Sequence, residues 1–532
     1  MHKFFLTVMQ LQRYLLALTL LLIVGCSSSV RAPFAVPEEE SALAAAPSGP
    51  LASLELKIAA RAEASAVQTD EIGPLSGFKL LNRSQDALRW RLALIDSATQ
   101  SIDTQYYLFY GDNSGLILTS RLLAAADRGV KVRVIIDDIG TIALSTMQEK
   151  LRDTMGALMI AHPNISLRLF NSSHNRRGLG RGWDYARDFE QFNHRMHNKS
   201  LTVDNRATIV GGRNIGDEYM GLSSHLNFRD IDVMGIGPIA RQATAVFDLF
   251  WNSGWVIPPS QSVVEKAEAI APARRESVEQ ELRRAKELER FSLTPREWGA
   301  EFATLLPSLH LGTSEVLTDR PGPDGISSDI YDWITTTVAE AKTEVLISNA
   351  YLIPQKSGVE MIGELSASGV EVTIHTNSLA SHDVPAVNSH YKAWRKPLLQ
   401  SGASLYEARH DAQIKASVVD TPPISARYMG LHSKSMVIDR RFSVIGSYNF
   451  DPRSALLNSE MVAMIDSPGL AGELKQAILS DIDLANSWEV SLNDAGDLEW
   501  RNDVEVTERQ PSRDGFQRIA DWFFTLFPKR LY

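Results

Sequence analysis

One cysteine, Cys26, stands among 532 residues, so an intramolecular disulfide framework is excluded. Positive charge is not in excess: 54 Lys and Arg against 64 Asp and Glu give a net charge of −10. A general polyanion binder carries the opposite balance, and no nucleic-acid partner is expected, although a local basic cleft is compatible with these totals. No H-E-x-x-H segment and no acidic cluster of metal-ligand type occurs, so neither a metal nor a cofactor is expected. The most apolar stretch, Tyr14 to Val24, falls short of the roughly 20 residues of a bilayer-spanning helix. The rest is ordinary: 44% hydrophobic and 22% charged residues, enough for a large core in several domains.

The short apolar run has a context. His2, Lys3 and Arg13 precede it, and small residues close it, the layout of an export signal. Its end, Ile23-Val24-Gly25-Cys26, resembles a bacterial lipobox. That resemblance implies cleavage before Cys26, lipidation of its thiol and a lipid-anchored protein of the cell envelope. Ser27 after the cysteine points to the periplasmic face of the outer membrane, where the cell has one. The alternatives are a plain signal peptide and an uncleaved anchor. The following Ser, Ala, Pro and Glu read as a flexible tether.

The chain is written twice. Ala98 begins ATQSIDTQYYLF, a strand pattern, followed by a helical stretch from Gly115 to Arg128 and a β-branched strand from Gly129 to Asp137. Ala341 begins AKTEVLISNAYLI, then a helical stretch, then a strand from Gly369 to His375. Alternating strands and helices predict an α/β sheet in each copy. A separation of about 240 residues indicates duplication rather than a short-period solenoid. Between the copies, from about Pro258 to Ser292, a mixed-charge stretch reads as an exposed connecting helix.

Each copy carries H-x-K-x-x-x-x-D: His197, Lys199 and Asp204, then His432, Lys434 and Asp439. Each is followed by G-x-x-N, Gly211 to Asn214 and Gly446 to Asn449. Apolar residues between the polar ones predict strands, on which residues two apart share a face. The chemistry suits a phosphodiester, which needs a nucleophile, a proton for the leaving oxygen and donors for the non-bridging oxygens. An imidazole with an ordinary pKa near 6.5 serves either as neutral nucleophile or as acid. Two lysines with Asn214 and Asn449, and Ser447 beside them, are the candidate phosphate-binding groups. Each histidine is expected to have a carboxylate at its distal nitrogen. Asp204 and Asp439 are expected to support their strands.

These residues resemble the phospholipase D superfamily, and the likeness runs from about Gly77 to Asp466. It implies two pseudo-twofold-related α-β-α sandwich domains sharing one active site. Glu460, 28 residues after His432, and Asp230, 33 after His197, match the family's orienting acids, with Asp232 a rival to Asp230. The resemblance makes His197 the nucleophile and His432 the general acid and base, the reverse assignment being open. The sequence around Gly211–Pro238, Thr376–Leu379, Asp383, Tyr391, Arg395, Leu405–Glu407 and Phe450–Glu460 is most similar to bacterial C-type cardiolipin synthases. This implies phosphatidyl transfer onto phosphatidylglycerol, with phospholipids as the partners. Hydrolysis to phosphatidic acid, nuclease activity and an inactive lipid-binding lipoprotein are the alternatives.

The expected organisation is a signal peptide over 1–25, a tether over 26–75, phospholipase D-like domains over 76–257 and 325–490, a helical connector over 258–324 and a tail over 491–532. In that tail, Trp522 to Leu531 mixes aromatics with Lys529 and Arg530, a pattern that suits a membrane interface or a docked helix. Arg176, Arg177, Arg181, Arg187 and Arg195 crowd the segment before His197, as a site for anionic headgroups or as a solvated loop.

Overall fold

A computed structural model describes residues 32–64, 74–141, 146–172 and 189–526. Cys26 and the expected signal segment, with Arg176, Arg177, Arg181, Arg187, Lys529 and Arg530, lie outside the described residues. Among the described residues, no helix is long and apolar enough to cross a membrane.

In each copy three neighbouring strands run parallel. Ser101–Tyr106 pairs with Lys131–Asp137, and that with Ile165–Phe170. Glu344–Asn349 pairs with Glu371–Asn377, and that with Ser404–Ala408. These strands are β-branched and buried because helices cover the sheet, as parallel pairing requires. The motif strands Ser200–Val203 and Lys434–Ile438 add antiparallel to Ser101–Tyr106 and Glu344–Asn349. The outermost strands of the two sheets, Ser76–Leu81 and His310–Thr318, then pair with each other across the seam. One 18-stranded sheet therefore runs through both halves.

Three apolar layers follow. One covers the outer face of the first half, through Leu88, Leu92, Leu116 and Leu122. A second covers the outer face of the second half, through Ile334, Val338 and Ile362. The third is shared, and it gathers Ile135, Phe247 and Phe250 with Leu346, Leu470 and Leu474. Its helices are Pro238–Trp251 and Pro468–Asp481, each with proline in the first turn, where a missing N–H costs nothing. In Pro238–Trp251, Ile239, Ala243, Val246, Phe247 and Phe250 are buried, the spacing of one helical face.

The expected tether is structured over residues 32–64. Ala32 and Phe34 donate backbone bonds to Pro323 and Gly254, and Glu40 and Ala42 donate to the side chains of Asn252 and Asp248. The helix Pro50–Ala64 then buries Leu51, Leu54 and Ile58. A Ser/Ala/Pro-rich composition suggests solvation, but here the polar side chains of the first domain satisfy the strap's backbone. The connecting helix spans Gln261–Arg284 and buries only Ala267, Val278 and Leu282, in keeping with a largely exposed element.

Candidate active site

The two motif histidines enter the site by the same construction. Met196 makes a parallel bridge with Ser459 of the other half, and His197 N–H donates to the Ser459 carbonyl at 2.8 Å. Strand Tyr428–Leu431 lies parallel to Leu226–Arg229 of the first half, Leu431 opposite Arg229. His432 N–H donates to the Arg229 carbonyl at 2.8 Å. One further step in each register sets a histidine beside an acid. His197 Nδ1 lies 2.7 Å from Glu460 Oε2, and His432 Nδ1 lies 2.6 Å from Asp230 Oδ2. Spacing along the chain sets each acid nearest the histidine of its own half, but the fold exchanges them. With Nδ1 engaged, Nε2 is the nitrogen left for chemistry on both rings.

The histidines precede their strands rather than lying on them, since the strands begin at Ser200 and Lys434. Each lysine folds back onto the carbonyl two residues earlier, Lys199 Nζ to His197 at 2.6 Å and Lys434 Nζ to His432 at 2.5 Å. Tyr107 stands edge-on to His197 with centroids 4.9 Å apart, and Tyr219 edge-on to His432 at 5.1 Å. Lys199 sits 5.5 Å over Tyr107, and Lys434 sits 5.7 Å over Tyr351. Tyr351 donates to Asp383 at 2.9 Å. Sequence reading missed these three tyrosines. The signal was an aromatic in each copy beside the first strand's end, but Tyr351 stands one register position beyond the equivalent of Tyr107.

Around Glu460 every acceptor is used. Oε2 also takes the Ser447 hydroxyl at 2.5 Å, and Oε1 takes Ser454 at 2.8 Å and Asn458 at 3.3 Å. Ser447, expected to bind phosphate, is therefore a support of the carboxylate: it is fully buried and its hydroxyl is turned to Glu460. The corresponding position in the first half is Gly212, where a Cβ would lie 2.3 Å from Asp230 Oδ1. Asp232, the rival acid, instead pairs with Arg91 at 3.0 Å and Arg213 at 3.3 Å. Asn214 accepts from Leu108 N–H at 3.2 Å. Asn449 is buried, and its carboxamide oxygen has no hydrogen-bond partner among the described residues, which leaves a polar atom for an occupant of the cleft.

The motif aspartates do not reach the histidines. Asp204, with left-handed φ of 55°, accepts from the N–H groups of Thr99, Gln100 and Ser101 and the Thr99 hydroxyl. Asp439, at φ 52°, accepts from Lys342, Thr343 and Glu344. Each ties the turn after its motif strand to the start of the strand that pairs with it, the supporting place expected of Asp204 and Asp439. Arg195 is likewise no headgroup ligand. It is buried against Asp137 at 3.1 Å, and Asp137 also accepts from Met196 N–H, which fixes the backbone before His197. Asn377 does the equivalent task at Leu431.

The electrostatics differ between the halves. Burial, with Lys199, Lys434, His432 and Arg453, holds His197 well below its ordinary value. Burial and Lys434 also lower His432, but Asp230 and Asp383 oppose them. Burial pushes Glu460 up to about 7. Burial also pushes Asp230 up, but His432, Lys434 and Arg213 outweigh it and bring the carboxyl below its usual value. Burial lowers Lys199 to about 7 and Lys434 to about 8. A neutral ring is favoured at 197, and a protonated ring is better tolerated at 432.

Two buried imidazoles with crossed carboxylates and two convergent lysines define a phosphodiester-directed site of the phospholipase D type. The family model "Cardiolipin synthase, PLD-like domain" matches residues 92–251 and 334–482. The chain belongs to this family. It is 34% identical to cardiolipin synthase C of Escherichia coli K12 over 461 residues, covering 84% of this chain and 94% of that protein. It is 26% identical to cardiolipin synthase of Staphylococcus aureus Mu50 over 73% of this chain and 63% of that protein. The fold resembles phosphatidylserine synthase of Haemophilus influenzae, with a TM-score of 0.54, 13% identity and coverage of 88% of this chain and 100% of that one.

Proposed function

We propose that the protein transfers a phosphatidyl group from one phospholipid to a hydroxyl of phosphatidylglycerol, forming cardiolipin. His197 Nε2 attacks phosphorus, the bond to the headgroup oxygen breaks, and His432 protonates the departing alcohol. His432, now neutral, takes the proton of the incoming hydroxyl. That oxygen attacks phosphorus, the P–N bond breaks, and His197 returns to its neutral form. Lys199 and Lys434, with Asn214 and Asn449, hold the non-bridging oxygens. The crossed contacts of His197 with Glu460 and His432 with Asp230 carry this reading, since each leaves an oriented Nε2 free. The electrostatic difference between the rings supports His197 as nucleophile. The unit is two phospholipase D-like domains, 76–257 and 325–490, joined by the connector 258–324. Cys26 is the proposed lipid attachment point in the bacterial cell envelope, at the periplasmic face of the outer membrane where the cell has one.

The test is incubation of the purified protein with phosphatidylglycerol, alone and with phosphatidylethanolamine, followed by identification of the lipid products. Cardiolipin that disappears in His197→Ala supports the reading. Phosphatidic acid with no cardiolipin makes water the acceptor and the protein a hydrolase.

A further inference from the structure

The last helix among the described residues, Gly515–Phe524, turns several large apolar side chains to solvent. Two of its polar residues face inward. Gln517 is buried and donates to the Leu379 carbonyl at 3.0 Å. Asp521 is buried and accepts from Asn388 at 2.6 Å and Lys392 at 2.8 Å. Ala520 and Phe524 share that buried face. The opposite face carries Phe516, Ile519 and Trp522, with Leu526 just past the end, exposed to 41, 64, 65 and 68%. At 100° per residue the exposed set falls within one arc and the buried set within the opposite one. A contiguous apolar face of this kind marks an interaction site.

We propose that this face is a membrane-docking surface that seats the protein on a bilayer with anionic lipids. The choice of occupant rests on the phospholipid-transfer reading. Two further features favour a lipid surface over a second copy of the chain. The helix borders cationic residues: Arg518 lies on it, its charge disfavoured by burial and then by nearby Arg509, against the pull of Asp521. Cations flanking exposed Trp, Ile and Leu suit an anionic interface. The helix is also continuous with the site. Gln517 and Arg513 donate to the carbonyls of Leu379 and His382. The His382 ring stacks on Tyr351 at 5.4 Å, and Tyr351 donates to Asp383 beside it. A bilayer seated on this face would lie one helix diameter, about 10 Å, from the second-half wall of the cleft.

The test uses the chain begun at Ser27, which lacks both the apolar run Tyr14–Val24 and the thiol on which a lipid could be built, so that vesicle flotation reports the folded surface alone. Vesicles of phosphatidylcholine mixed with phosphatidylglycerol, whose negative surface attracts basic segments, are compared with pure phosphatidylcholine. The protein should float with the anionic vesicles, and Ile519→Asp with Trp522→Asp should reduce binding at least tenfold. The same pair should depress activity on vesicles while leaving activity on detergent-dispersed substrate near that of the parent. His197→Ala should bind vesicles like the parent even if catalysis proves to be of another kind, which separates failure of docking from failure of the transfer reading. Unchanged flotation in the double variant overturns the proposal. So does concentration-dependent dimerisation in light scattering that the double variant abolishes, which would assign the face to a second copy.

Discussion

Asp230, from the first half, lies 2.6 Å from Nδ1 of His432 in the second, and the register of two parallel strands, with Leu431 opposite Arg229, puts it there. The carboxylate fixes the tautomer and favours the imidazolium. Asp230→Asn should keep the fold and lower turnover by roughly 10³ to 10⁴. Glu460→Gln should be comparably damaging, because Gln puts an N–H₂ among the donors Ser447, Ser454 and Asn458. Steady-state product assays with thermal melts check both. Turnover within a few-fold of the parent would show that neither acid orients its ring.

The roles of the two histidines separate with an activated substrate. A phosphatidyl ester with a p-nitrophenyl leaving group needs little acid assistance. His432→Ala should release one equivalent of p-nitrophenol and stop as a phosphatidylated protein, whereas His197→Ala should release none. Mass spectrometry locates the adduct, expected on His197. An adduct on His432 in the His197 variant would reverse the assignment.

Alkaline inactivation should come early for a lysine-dependent site. Burial brings Lys199 to about 7 and Lys434 to about 8, so each loses its proton, and its hold on phosphate, as pH rises through those values. The ratio kcat/KM reports the free enzyme and should fall above about pH 7 as Lys199 loses its proton, with a second loss above about pH 8 from Lys434. Lys199→Arg keeps its charge. The fall should then begin near pH 8 even though the maximum is lower.

Asp204→Asn should be a stability variant. The carboxylate accepts from three consecutive N–H groups and a hydroxyl, and weakening such charge-assisted bonds costs about 2 to 3 kcal/mol. Asp439→Asn, at a less buried position, should cost less. Urea melts measure both, and turnover per folded molecule should stay within a few-fold of the parent.

Asp112 predicts a pH effect of its own. Burial and Asp217 push its carboxyl up to about 8. The folded state therefore binds the proton more tightly than the unfolded chain. The corresponding stability is present at low pH and drains away as pH rises from about 4 to about 8. Asp112→Asn removes this titration, so parent-minus-variant stability should decline across that window. A flat difference curve would refute the shift.

The chemistry was legible because the motif is written twice, with the same G-x-x-N after each copy. The exchange of acids was not, because it depends on contacts 202 and 263 residues apart in the chain. Ser447 misled for a related reason: a hydroxyl near a phosphate motif reads as a donor to substrate, and nothing local shows a carboxylate folding over it. The helix Pro50–Ala64 was readable in principle from Leu51, Leu54 and Ile58. The strap before it was not, because side chains of Asp248 and Asn252 hold it. The C-terminal helix shows how a pattern can be read while its orientation is not: aromatics beside basic residues suited a membrane interface or a docked helix, and only buried Gln517 and Asp521 reveal which face is turned outward.

The pairing of each imidazole with an acid from the far half has a consequence for how the chain is made. While the ribosome has delivered only the first half, His197 has no Glu460, and Asp230 has no ring to hold. A first half without the second is therefore an incomplete site. Reactivity arrives in one step, when the second half closes on the first.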